Sequence, residues 1–455
     1  MVNNRIFFNR DISWLSFNER VLTEASKSSV PLMERFRFLA IYSSNLDEFY
    51  RVRIPAYNKK NATDDELQTL EQIRIIINRQ QEMYGDLIRN QLIPAMEARG
   101  LTFLYDAVIP NELHDQIADY FLNQVAGYIH IVSLDSPTAF FPVNNQLYKA
   151  VLTRKFEQLH AWIINIPSNH LPRFRSFGIN NRHYILLLDD IVDHSLPFIF
   201  RNSELVAAHN VKLTRDASIK LIENADLDAA DLIEKELSKR DRGKATRFLY
   251  DPGMPGLMIE RLRGSFDLKK SALVAGGRYH NLRDLGSMPL HDQTFQYPSQ
   301  QSLINFHANY NGSLFNIIVN KDRLIHSPYH SYNCILRFFN EASLDPDVEQ
   351  IYITFYRIAN DSRIGHALIS AARNGKDVFV LVELKARFDE ANNIRWAKSM
   401  KAAGIKIVYS QNELKVHAKI ALLKRKGDLP MIGLLSTGNF NENTARVYTD
   451  HILNI

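Results

Sequence analysis

The chain has 455 residues, 45% of them hydrophobic and 23% charged, a balance typical of a soluble globular protein long enough for about three domains. Its formal charge of +5 permits a polyanionic substrate, but no recognition motif accompanies it, so a dedicated nucleic-acid-binding protein is not expected. The single cysteine, Cys334, excludes an internal disulfide and a cysteine-built zinc site. No apolar run is long enough to span a bilayer and the N-terminal stretch has no secretory h-region, so a cytoplasmic setting without a transmembrane segment is the expectation.

Residues 1–106 read as an all-α N-terminal domain. Ser13 is placed to cap a first helix in which Trp14, Phe17, Val21 and Leu22 fall near helical spacing, and residues 64–100 read as a long amphipathic arm. Residues 107–303 mix strand-like runs (QLYKAVLTRK, HAWIINIP, HYILLLDDIV) with a helical run from Ala217 to Arg240 and turns at DPGMPG and VAGGRYHNLRDL, an α+β domain. Residues 304–455 alternate strands and helices. EQIYITFYRI is a strand, and the next helix is capped by Asp361 or Ser362 and ended by Gly375. DVFVLVELKARF is a second strand, followed by a helix ending at Gly404, then IKIVYS and LKVHAKIALLK as third and fourth strands. That alternation predicts a largely parallel sheet. Cys334 reads as helix core.

Within the last region, Arg357, Arg387 and His417 recur every 30 residues, about the length of one βα unit. Ligands of such sheets bind beyond the carboxyl ends of the strands, where two arginine forks suit phosphate. The plainer reading is that both arginines pair with nearby carboxylates such as Asp361 and Asp389. In a strand His417 and Lys419 would share a face, yet composition alone predicts roughly two His-x-Lys/Arg triplets in a chain of this make-up. The triplet carries weight only in context. The turn Ser436-Thr437-Gly438-Asn439 could offer backbone N–H groups to a phosphate, or be a plain turn.

Taken together, SWLSFNERVL (13–22), IYSSNLDEFYRVR (41–53), AGGRYHN (275–281), SPYHSY (327–332), YRIANDSRI (356–364), VELKARFDEANNIRWAK (382–398), LKVHAKI (414–420) and STGNFNENTARVYTD (436–450) resemble the polyphosphate kinase type 1 family over essentially the whole chain. The resemblance implies a multidomain α and α/β fold: an all-α N-terminal domain, an α+β head domain and a phospholipase D-like α/β catalytic domain. It implies reversible transfer of the ATP γ-phosphate to inorganic polyphosphate through a phosphohistidine, in a homo-oligomer that uses ATP/ADP, polyphosphate and Mg²⁺. His417 matches the phosphorylated position, with Lys419 beside it. Asn45 and Tyr448 match nucleotide contacts, and Arg357 and Arg387 match the phosphate and magnesium neighbourhood, although an arginine does not itself ligate Mg²⁺. Family members continue through a further domain that carries the acid/base partner, so on this reading the chain is C-terminally incomplete. Lys424 stands where a phospholipase D motif has aspartate. A phosphodiesterase, or a non-catalytic binder of polyphosphate or nucleotide, is the alternative.

Overall fold

The computed structural model describes residues 7–57, 61–135, 140–179, 182–216, 244–290, 292–303, 312–384, 386, 389–410 and 417–455. These fall into two compact units, the first holding the described residues up to 298 and the second those from 299 onward. The helical run expected from Ala217 to Arg240 lies outside the described residues. Among the described residues no helix is long and apolar enough to cross a membrane.

The first unit opens with helices α1 (Arg10–Ser26), α2 (Leu32–Val52) and α3 (Asp64–Asp86). The cap of α1 is Asn9, not Ser13: its side chain accepts from the backbone of Asp11 and Ile12, satisfying donors a helix start leaves open. The buried stripe of α1 is Leu15, Asn18, Leu22 and Ala25, while Phe17 faces out. Thr63 and Glu66 close a reciprocal capping box on α3. That helix widens into a π-turn at Leu87–Leu92 before a short α4 (Ile93–Glu97).

Strand β1 (Leu101–Phe103) follows and pairs with β6 (Arg182–Leu187), which also pairs with β5 (Phe174–Ile179). A six-stranded sheet has the order β2 (Ile131–Ser133), β4 (Gln158–Asn165), β3 (Leu147–Lys155), β7 (Glu204–Arg215), β8 (Ala245–Tyr250), β9 (Leu273–Ala275). The run HYILLLDDIV changes state midway: β6 ends at Leu187 and helix α5 (Leu188–Ile199) begins.

The second unit is built on a seven-stranded sheet in the order β10 (Arg323–Ser327), β16 (Asp450–Asn454), β15 (Ile432–Ser436), β14 (Ile420–Arg425), β11 (Val348–Phe355), β12 (Asp377–Val382), β13 (Lys406–Tyr409). Only β11, β12 and β13 run parallel. β14 returns antiparallel on the other side of β11 and β15, β16 and β10 follow antiparallel, so the sheet is mixed and not largely parallel. The two parallel crossovers carry Arg363–Arg373 and Glu390–Ala402 as helices. Ser362 caps the first, accepting from the Gly365 N–H, and Gly375 and Gly404 take φ of 84° and 87° just beyond the two helix ends. Inward residues Ile351, Ile353, Phe355, Val380, Val382, Leu423 and Leu434 join Phe338, Phe339, Ile364 and Leu368 in one core, which also buries Cys334.

Candidate active site

The parallel strand β11 delivers Tyr356 and Arg357 just past its carboxyl end, where the sheet topology predicts a ligand. The antiparallel neighbour β14 is entered through His417, Ala418 and Lys419. These three residues precede the strand instead of lying in it. Thr354 fixes this entry, its hydroxyl donating to the Ala418 carbonyl at 2.7 Å and accepting from the Ile420 N–H at 3.1 Å. The expected side-by-side placement of His417 and Lys419 holds for another reason than strand alternation. The Lys419 Nζ lies 2.9 Å from His417 Nδ1 and 2.6 Å from the His417 carbonyl oxygen.

Tyr356 is the common neighbour, and the sequence reading missed it. His417 meets its ring edge-on at 5.4 Å between centroids. The Lys419 ammonium is 5.8 Å and the Arg357 guanidinium 5.9 Å from the same centroid, distances at which cations feel the ring quadrupole. His417 is exposed and Lys419 is buried to 7% exposure, so the imidazole is reachable while the ammonium is partly withdrawn from water. Burial lowers the Lys419 pKa, opposed by the carboxylate of Asp450.

Arg357 takes the plainer option: its Nε pairs with Asp389 at 3.2 Å. Burial raises the Asp389 carboxyl above its usual range, with Arg357 opposing. Arg387 lies outside the described residues.

The turn 436–439 turns most of its groups inward. Gly438 N–H donates to the Ser436 hydroxyl and Thr437 N–H to the His451 carbonyl, while the Thr437 hydroxyl donates to Asp450 at 2.8 Å. A Cβ on Gly438 would fall inside the Asp450 carboxylate, so only glycine fits. Asn439 Oδ1 is buried without a partner. Asn441 reaches the Arg357 carbonyl at 3.4 Å, and Glu442 caps the Arg363–Arg373 helix through Ser362 and the Ile364 N–H. Tyr448 stands 64% exposed two residues before Asp450. Asn45 belongs to the first unit, half-buried on α2, with its amide donating to Asn18 at 3.0 Å.

Arginine and ammonium groups have no lone pair for a cation, and among the described residues no group of three or more His, Cys, Asp or Glu could hold a metal ion. The residues around His417 suit phosphate oxygens and do not fit a protein-held Mg²⁺.

Three family profiles match the chain: the polyphosphate kinase N-terminal domain over residues 7–104, the middle domain over 112–288 and C-terminal domain 1 over 313–454. The curated polyphosphate kinase of Yersinia pestis is 34% identical across all of this chain, which spans 69% of that protein. The chain belongs to the polyphosphate kinase family. The Escherichia coli K12 polyphosphate kinase is 33% identical over the same shares. The crystal structure of the Porphyromonas gingivalis polyphosphate kinase superposes with a TM-score of 0.81 at 34% identity, covering 99% of this chain and 67% of that one. The α and α/β multidomain architecture is therefore that of a polyphosphate kinase, an enzyme family of phosphotransferases.

Proposed function

We propose that the protein transfers the γ-phosphate of ATP to inorganic polyphosphate through a phosphorylated His417, in a reversible reaction. The observation that carries this is the convergence of His417, Lys419 and Arg357 on the Tyr356 ring at the end of β11. An imidazole nitrogen attacks the γ-phosphorus, forming an N–P bond as the bond to the β-phosphate oxygen breaks and ADP leaves with the electron pair. A terminal polyphosphate oxygen then attacks the same phosphorus and the N–P bond breaks. Lys419 and Arg357 neutralise the equatorial oxygens, which is most of what phosphoryl transfer asks of a protein. Arg387 is proposed to join them. Magnesium is the counter-ion of the nucleotide on this reading and needs no protein cage.

The contact between His417 and Lys419 constrains the order of events. An ammonium can only donate, so Nδ1 accepts and the ring proton sits on Nε2. Nδ1 therefore holds the ring's lone pair, and it attacks only once Lys419 releases it and turns to the incoming phosphate, the ring proton staying on Nε2. Asn45 and Tyr448 are proposed as nucleotide contacts, Tyr448 offering an exposed ring face to the base. On that basis Asn45→Ala raises the KM for ATP more than it lowers kcat. An unchanged KM would leave Asn45 to its bond with Asn18.

The deciding experiment uses γ-labelled ATP. Label bound to His417, lost in acid and stable in base, is expected. Stoichiometric label on another residue of a His417→Ala variant would overturn the assignment.

A further inference from the structure

A cavity of about 550 Å³ opens within the first unit. It lies in the size range of small-ligand sites. Its wall carries four tyrosines, Tyr42, Tyr84, Tyr105 and Tyr279, the last with its hydroxyl donated to Asp190, and two arginines, Arg89 and Arg247. Several features keep these groups available. The π-turn that follows α3 includes Arg89, and such turns often mark functional sites. Gly85, one helical turn earlier, costs helix stability that an alanine would not. Its missing side chain makes room for the Arg89 guanidinium, which lies 2.9 Å from where a Cβ would stand. Among the described residues Arg89 has no carboxylate partner.

Arg247 is 3% exposed. Its Nη1 is 3.3 Å from Asp47, but its buried Nε has no hydrogen-bond partner, and neither has the hydroxyl of Tyr84. Unpaired buried donors are costly and call for an explanation. Asp47 also lines the cavity, but Lys212 binds it at 2.5 Å from behind. Burial alone would raise the Asp47 carboxyl, yet Lys212 and Arg247 hold it below its usual value. Glu82 is the other acid in the wall, and His280 is kept neutral by burial, its pKa pushed down to about 3. The Gly276-Gly277 turn keeps the remaining side open: a Cβ at Gly276 would crowd Leu249 and His280, and one at Gly277 would meet nothing within 4 Å.

We propose that this cavity binds a nucleoside phosphate, with the base among Tyr42, Tyr84 and Tyr105 and the phosphate on Arg89 and Arg247. It is formed by the first unit alone and uses neither His417 nor Tyr448. Inorganic polyphosphate would leave the aromatic wall unfilled, which is why a base is assigned.

The test is ADP binding to the whole chain by calorimetry, in a Tyr448→Ala background that weakens the nucleotide contact proposed for phosphoryl transfer. One equivalent of ADP is expected to bind. Arg89→Ala is expected to weaken it at least tenfold, and Gly277→Leu, which puts a bulky side chain on a lining residue, to do the same. Tripolyphosphate is expected not to displace ADP. Unchanged affinity in both variants, or displacement by tripolyphosphate as effective as by ADP, would overturn the proposal. Arg89 is exposed, so its replacement tests binding without threatening the fold. No phosphoryl transfer is read in this experiment, so its outcome is separable from that of the His417 label.

Discussion

Tyr356 organises the site through its ring and not through its hydroxyl, since every contact that ties it to His417, Lys419 and Arg357 is made to the ring. Tyr356→Phe should therefore keep near-normal turnover, while Tyr356→Ala should lose roughly tenfold or more, on the scale of about 1–2 kcal/mol for a cation–aromatic cluster. Equal losses in both variants would show that the hydroxyl matters instead. Lys419→Ala should slow formation of the label without abolishing it, because charge is removed but the bond-forming nitrogen stays; complete loss at long times would contradict that. Arg357→Ala should remove roughly 3–4 kcal/mol of transition-state stabilisation with a smaller change in ATP affinity, and Arg357→Lys should not restore it, since the planar fork is lost. Near-normal kcat in Arg357→Ala would mean that its pairing with Asp389 is its whole role. Chain spacing and the family resemblance both singled out Arg357 and His417, and the resemblance set Lys419 beside His417; the strand alternation that also paired them fails, because both residues precede β14. Tyr356 was not legible in the sequence, because an aromatic at a strand end reads as core until the packing shows which side chains meet it.

At the scale of elements, the local signals were the readable ones. Ser362 before a helix and glycines at 375 and 404 after two helices state their roles in the chain itself, because capping and positive φ depend on a few adjacent residues. The parallel half of the second sheet followed from strand–helix alternation. The antiparallel half did not: β14, β15 and β16 show the same strand-like runs, and nothing local says on which side of β11 a returning strand will pair. The capping of α1 by Asn9 was missed because Ser13 is an equally good residue type one turn too late. The small polar residues of the turn at 436–439 allow either a phosphate cradle or a plain turn; in the structure Gly438 N–H is taken by the Ser436 hydroxyl, and Thr437 ties the turn to Asp450 and His451. That lock is testable. Gly438→Ala should destabilise the second unit by about 1–3 kcal/mol, because the new methyl overlaps the Asp450 carboxylate. Displacing Asp450 also removes the charge that opposes burial at Lys419, so labelling of His417 should slow as well. A variant with normal thermal midpoint and normal labelling would show that the turn can shift freely.

Across the first unit, charges from distant parts of the chain meet at α5, and they make its stability depend on pH in two opposing ways. Asp190 is buried beside Asp189 and Asp193, accepts from the Tyr279 hydroxyl at 2.8 Å, and has Arg278 at 3.5 Å. Burial first, and then the neighbouring Asp189 carboxylate, push its pKa up to about 7. Between about pH 4 and pH 7 the unfolded chain has therefore given up this proton while the folded one keeps it, so stability falls as pH rises through that window. His280 acts in the opposite sense. Its folded pKa, pushed down to about 3 by burial, lies below the ordinary 6.5, so stability is lost as pH falls from about 6.5 toward 3. The wild-type profile sums the two and need not show either slope plainly. A difference between variants separates them. Asp190→Asn keeps an acceptor for Tyr279 but cannot ionise, so its thermal midpoint relative to wild type should rise as pH is raised from 5 to 7.5 and level off above. Midpoints that differ by a constant across that range would mean that Asp190 does not titrate there, and that Arg278 and Tyr279 hold it ionised throughout.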